Sequence, residues 1–272
     1  MLRIHPTAIV DPRATIADDV EIGPFCVVED QTQIGPGCVL RESAIVRRHT
    51  SMGQGNFVDA HAVLGGLPQD LKFNPSTVSY VKIGDGNTFR EGVTISRASL
   101  PGGATVIGDR SYWMACSHAG HDATVEDEVI LVNSALVAGH ARIGARAVLS
   151  GHVAVHQFTW VGEGVMSRGN AGVSTHVPPY TLFADINRIA GMNAVGMKRN
   201  QQMTSEDRRQ LKEAFRLTYR AGLSPAKALE EMDKCADWGP FAARFRDFIR
   251  QVVSAEGPYA RGLCPLRGRT DE

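Results

Sequence analysis

The chain has 272 residues with 29 basic and 29 acidic side chains, so it carries no net charge while its histidines are neutral. That balance argues against a protein that grips nucleic acid through phosphates, and 43% hydrophobic with 21% charged residues argues against disorder. No apolar run approaches the ~18 residues of a membrane span, residues 1–6 lack the apolar stretch of a signal peptide, and five cysteines without a CxxC pair read as reduced thiols of a cytoplasmic protein.

From Ile4 every sixth residue is apolar: Val10, Ile16, Ile22, Val28, Ile34, Leu40, Val46, Met52, Val58 and Leu64. Four residues after each stands a small, β-branched or amide residue, such as Ala8, Val20, Cys26, Thr32, Cys38, Ala44 and Asn56. The pattern pauses after Gly65, returns at Ile83, Phe89 and Ile95, pauses again at residues 100–104, and then runs from Ile107 through Trp113, Ala119, Leu131, Ile143 and Ser167 to Val173. A period of six is neither helical nor simply alternating. It suits short flat strands joined by sharp corners, with the large residue pointing inward and the small one where a corner has little room. Three such sides close a triangular coil, and coils stack ~4.8 Å apart. A hexapeptide parallel β-helix is therefore predicted. The interruptions at 65–80, with Gln69, Asp70 and Lys72, and at 100–104 are expected to leave the coil as loops on the functional edge.

After Val177-Pro178-Pro179-Tyr180 the spacing becomes helical. Ser205-Glu206-Asp207 opens one segment, Ser224-Pro225 reads as an N-cap followed by a first-turn proline, and Phe241, Phe245, Phe248, Ile249 and Val252 recur at helical intervals. Charge shifts at the same place: residues 1–185 hold 13 basic and 18 acidic side chains, residues 186–272 hold 16 and 11. Two units are expected, a β-helix over 1–185 and a helical domain over 186–272. The basic surface of the second is either a solvated face or a platform for an acidic partner or phosphorylated ligand.

Five of the nine histidines fall late in the repeats: His118, His121, His140, His152 and His156. Asp122 and His140 are three repeats apart, so His121-Asp122 should lie directly under Gly139-His140. An imidazole with an adjacent carboxylate is a general base with a fixed tautomer, and a glycine one coil away offers a backbone N–H to an oxyanion. Other readings stay open from these residues alone: solvated histidines, or a zinc site built from His118, His121 and His140 in a lyase or hydratase.

Together these motifs resemble the UDP-N-acetylglucosamine 3-O-acyltransferases of lipid A synthesis. The elements that carry the resemblance are His5-Pro6-Thr7-Ala8, Gln69-Asp70-Leu71-Lys72, His118 with Gly120-His121-Asp122, Ala138-Gly139-His140, His156-Gln157-Phe158, Val177-Pro178-Pro179-Tyr180 and Gly196-Met197-Lys198-Arg199. The resemblance implies a mainly β fold, a left-handed parallel β-helix of hexapeptide repeats with a C-terminal α-helical domain, assembled as a cytoplasmic homotrimer with active sites between neighbours. It implies transfer of a 3-hydroxyacyl chain from the phosphopantetheine of acyl carrier protein to the 3-hydroxyl of a UDP-sugar, with no metal and no other cofactor. His121 would be the base, Asp122 its orienting partner and the Gly139 amide the oxyanion donor. Gln69, Asp70, Lys72, His118, His140, His156 and Gln157 would line the donor and acceptor site, Asn193 and Arg199 would contact the nucleotide, and Gly169 would set the acyl length. Three residues depart from the family pattern: Ser96 for a usual His, Val195 for a Glu and Asn200 for a second Arg. All three are expected in the sugar-nucleotide region and point to a modified acceptor, such as a sugar with an amine at position 3. A non-catalytic scaffold that binds the carrier protein is the remaining alternative.

Overall fold

A computed structural model of the chain describes residues 1–268. Two-residue strands wind into a triangular prism whose three walls are sheets of 11, nine and eight strands. The pairing is parallel throughout except at the last strand, and the coil is the left-handed β-helix expected from the repeats. From Glu21–Ile22 on, nearly every short strand exposes its first side chain at least partly and buries its second, so the six-residue apolar series forms one continuous core through Ile22, Leu40, Leu64, Phe89, Trp113, Leu131 and Leu149. Ile4, on the first strand, is exposed. Ser167, the polar residue in the inward series, is buried and its hydroxyl accepts the Ser150 N–H at 2.7 Å.

The register is the one the repeats predict: His118 pairs Leu136 in the second sheet and Thr124 pairs Arg142 in the third. The insertions lengthen two coils, since the first sheet steps from Phe57 to Thr88 and then to Tyr112. A buried amide ladder holds the stack together across them. Asn56 Oδ1 accepts from Asn87 N and Nδ2 at 2.9 and 3.0 Å, and Asn87 Oδ1 accepts from Ser111 N and Oγ at 2.8 and 2.6 Å. Buried amides need such partners. From Phe25 onward the corners turn through left-handed residues, among them His49, His61, Asp122, Ser134, His140, His152, Phe158 and Asn170. Asn, Asp and His tolerate this conformation better than other side chains, which is one reason histidines collect there.

The coils end at Thr181–Ala184, and the strand Arg188–Met192, beyond the expected division at 185, still extends the first sheet as an antiparallel edge. Four helices follow: α1 (Ala194–Arg199), α2 (Ser205–Tyr219), α3 (Pro225–Asp233) and α4 (Pro240–Val253). Thr204 caps α2 in a reciprocal box with Asp207, and Ser224 caps α3 ahead of Pro225. The helices return to the prism. Arg244 Nε of α4 meets Glu163 Oε2 at 2.6 Å, and the segment after α4 pairs with His176 and Ile189. Among the described residues, no helix is long and apolar enough to cross a membrane.

Candidate active site

His121 and Asp122 occupy the corner between the second and third sheets, on the coil directly beneath Gly139 and His140. His121 Nδ1 lies 2.8 Å from Asp122 Oδ2, and His140 Nε2 lies 3.6 Å from the same oxygen. The two imidazole rings meet edge to face, with centroids 5.1 Å apart. Burial works against the Asp122 carboxylate, yet hydrogen bonds from His121 and Ser99 outweigh it and hold its pKa below the ordinary value. An ionised Asp122 requires a donor at His121 Nδ1, so Nε2 is the basic nitrogen. Burial lowers the pKa of His140, opposed by Asp122 and reinforced by His121.

Gly139 faces the His121 ring so closely that a Cβ there would lie 2.8 Å from Cε1 and Nε2. Its N–H donates to no acceptor among the described residues. The corner geometry explains this, since the equivalent position is proline at Pro6, Pro12, Pro24, Pro36 and Pro179. A position that accepts proline carries no ladder hydrogen bond, so a glycine placed there presents a free donor. The imidazole Nε2 and this N–H lie side by side on adjacent coils, as a base and an oxyanion donor must.

Residues 176–264 match a family model described as UDP N-acetylglucosamine O-acyltransferase, domain 2, and residues 13–48 match the bacterial transferase hexapeptide model. An acyl-[acyl-carrier-protein]–UDP-N-acetylglucosamine O-acyltransferase of Gloeothece citriformis is 41% identical over 266 residues, covering 96% of this chain and 94% of the relative. The like-named protein of Synechocystis sp. is 41% identical over 263 residues, with 96% and 94% covered. The structure superimposes on the Francisella novicida UDP-N-acetylglucosamine acyltransferase with a TM-score of 0.90 at 31% identity, covering 99% of this chain and 95% of that one. For the Moraxella catarrhalis enzyme the TM-score is 0.88 at 35% identity, with 96% and 99% covered. The chain belongs to the UDP-N-acetylglucosamine O-acyltransferase family.

The other residues expected at a UDP-N-acetylglucosamine O-acyltransferase site divide between places. His118 points outward from the second sheet three residues before His121. Its Nδ1 pairs with Thr94 Oγ1 at 2.8 Å, and burial, opposed by Thr94 and aided by His121, lowers its pKa. The histidine trio considered for zinc therefore does not converge: the ligand atoms within 4.8 Å of one another belong to His121, Asp122 and His140. His156 and Gln157 are exposed one coil above His140, and Arg261 reaches His156 Nδ1 at 2.9 Å. His152 and Gly169 belong to the opposite corner, between the first and second sheets. Gln69, Asp70 and Lys72 are exposed on the first inserted loop, where Asp70 Oδ1 accepts the Lys72 N–H at 2.9 Å.

A cleft of about 840 Å³ opens along the first sheet and its corner with the third, lined by Arg146, Tyr180, Asn193, Val195, Arg199 and Asn200. Arg199 is exposed on the last turn of α1. Asn193 is nearly buried and its amide is committed to the fold: Oδ1 caps α1 at Gly196 N, 2.9 Å, and Nδ2 donates to Gly164 O at 3.0 Å. Val195 and Asn200 share this cleft, but Ser96 does not. It is buried in the second sheet, paired with Gly66 at the base of the loops. Within one chain the three departures therefore lie in two places.

Three neighbours of the base escaped the sequence reading. Ser99 donates to Asp122 from the second loop, Thr105 Oγ1 accepts the Asp122 N–H at 2.9 Å, and Phe158 stacks on His140 with centroids 4.5 Å apart. The stack position of Phe158, three repeats after His140, was available as a signal. An insertion separates Ser99 from Asp122 and hides its register, whereas Thr105 follows the insertion and its register was countable too.

Proposed function

We propose that this protein transfers a 3-hydroxyacyl chain from acyl carrier protein to the 3-hydroxyl of UDP-N-acetylglucosamine or a close UDP-sugar, the first step of lipid A biosynthesis, in the cytoplasm, and that it acts as a homotrimer. The reading is carried by the His121–Asp122 pair set against the free Gly139 N–H. His121 Nε2 takes the proton from the sugar hydroxyl as its oxygen attacks the thioester carbonyl. The Gly139 N–H stabilises the tetrahedral oxyanion, and collapse expels the thiol, which receives the proton back from the imidazolium. A thioester is activated enough that these groups suffice. General-base help is worth about 10²–10⁴-fold, and positioning contributes further.

The trimer is supported by where the two half-sites lie. The base stands at the corner of the second and third sheets, and the Arg199 cleft opens by the first sheet and its corner with the third. One acceptor molecule that touches both must therefore bridge two chains. The outward rows lean the same way. Val39, Phe57, Ile130, Val148 and Met166 on the first sheet and Val27, Ile45, Val63 and Leu136 on the second are apolar, although Arg3, Glu21, Thr88, Thr94 and His118 interrupt them, while the third carries Thr15, Gln33, Ser51, Lys82, Thr124 and Arg142 with Val106 and Trp160 as its apolar members.

The test is His121→Ala, assayed with acyl carrier protein donors of several chain lengths and with UDP-N-acetylglucosamine beside its 3-amino analogue, products read by mass. The variant should remain a trimer by light scattering and lose transfer by about 10²–10⁴-fold. Near-normal turnover would remove the mechanism. Preference for the amine would assign the acceptor that Val195 and Asn200 suggest.

A further inference from the structure

Asp122 Oδ2 is unusually crowded. Besides His121 Nδ1 at 2.8 Å, it accepts the Ser99 N–H at 3.0 Å and the Ser99 hydroxyl at 2.7 Å, while His140 Nε2 waits 3.6 Å away. A carboxylate beside two imidazoles can turn toward either. The two Ser99 donors approach the same oxygen and hold it where His121 is the nearer partner. Ser99 also sits on a braced support. Its loop is tied to the first loop through Gly102 N to Val78 O at 2.9 Å, Ala98 N to Tyr80 O at 3.3 Å and Arg97 Nη2 to Pro75 O at 3.0 Å, and Tyr80 N donates to Gly103 O at 2.9 Å. The loop that carries Asp70 and Lys72 is thus joined, through Ser99, to the carboxylate that orients the base.

We infer that Ser99 is a positioning residue for acyl transfer, setting the orientation of His121 through Asp122 and coupling it to the loop of Asp70 and Lys72. The inference rests on His121 being the base. Ser99 touches no reacting atom, so its loss should act on kcat and leave substrate affinity alone.

The experiment is a double-mutant cycle on the full-length enzyme with Ser99→Ala, Ser99→Thr, Asp122→Asn and Ser99→Ala/Asp122→Asn. Asparagine tolerates the left-handed conformation at position 122. Ser99→Ala removes the hydroxyl and keeps the amide, so kcat should fall by about tenfold, as expected for one hydrogen bond to a charged group, with KM for both substrates within about twofold. Ser99→Thr, which keeps the hydroxyl, should restore kcat. In the Asp122→Asn background the alanine should cost nothing further, because the carboxylate it orients is gone. An effect confined to KM, a normal kcat in Ser99→Ala, or an equal loss in both backgrounds would each overturn the inference. A fully active His121→Ala enzyme would instead overturn the assignment of the base, so the two failures are distinguishable.

Discussion

Gly139→Ala isolates the fit between the base and the coil above it. A Cβ at 139 would stand 2.8 Å from Cε1 and Nε2 of His121 and 3.2 Å from Nδ1. Ordinary carbon contacts are ~3.5–4.0 Å, so the ring must retreat by roughly 1 Å. It cannot retreat and keep its bond to Asp122, whose own position is fixed by Ser99 and by the Thr105 hydroxyl. Gly139 does not use a left-handed φ, so alanine adds no backbone strain there, and it retains the N–H assigned to the oxyanion. Misplacement by 1 Å costs about 100-fold, or about 2.7 kcal/mol of transition-state stabilisation. Steady-state transfer kinetics run beside a thermal melt should show kcat down by that factor, with the melting temperature and both KM values little changed. If the alanine enzyme turns over at the wild-type rate while folded, the ring is not held against Gly139 and the geometry argued for catalysis is wrong.

Arg199→Ala should raise KM for the UDP-sugar by about tenfold or more, the worth of one charged hydrogen bond, with kcat nearly unchanged; isothermal titration of the UDP-sugar checks it, and unchanged affinity would detach α1 from nucleotide binding. Trp113→Ala empties a fully buried core position and should cost about 3–5 kcal/mol in urea unfolding, against which a loss under 1 kcal/mol would contradict the core assignment. His176 is fully buried, accepts the Trp160 N–H at Nδ1 (3.0 Å) and donates from Nε2 to Tyr259 O (2.7 Å); burial lowers its pKa from 6.5, opposed by the Tyr259 carbonyl and aided by Arg261. The unfolded chain therefore takes up this proton first, so stability should fall as pH drops below 6.5. His176→Gln should flatten that dependence in denaturant melts at pH 7.5 and 5.5, and an unaltered slope would discard the argument.

Periodicity made the prism and the central pair legible before any coordinates. A strict repeat converts sequence distance into spatial position, so Asp122 and His140 could be stacked by counting, and they do stack. Legibility ended where the repeat did. Ser99 reaches Asp122 from before an insertion, and no count across a loop predicts where it returns, whereas Thr105 lies past the insertion in unbroken register with Asp122. Ser96 was grouped with Val195 and Asn200 by family position, but its place in the second sheet is set by pairing with Gly66 across a bulge. Asn193 is placed at the nucleotide by family position alone; that its side chain also caps a six-residue helix with few other sources of stability is visible only in the fold. The strap after α4 was opaque for a different reason. Its Tyr259 ring stands against Phe158 and Trp160, contacts made over long sequence separations with no periodic signature.

The corner itself explains why chemistry gathers there. Flat walls use every strand N–H and C=O in pairing with the coils on either side, so they offer a ligand only side chains. A corner interrupts that pairing once per side and leaves one backbone N–H outside the ladder, which carboxylates take at Arg48, Gln54, Asp85, Asp109 and Ala145 but none among the described residues takes at Gly139, and most corners turn the next residue left-handed. Residues that bear this conformation, Asp122, His140 and Phe158, stack one coil apart. A carboxylate, an imidazole and an aromatic support can thus be assembled by choosing residue types at one repeated position, with the backbone unchanged. The same logic places a cost on the arrangement. Because the free N–H belongs to the residue before the left-handed one, the base and the oxyanion donor can sit side by side only if the coil above carries no side chain at that position, and in this chain that residue is Gly139.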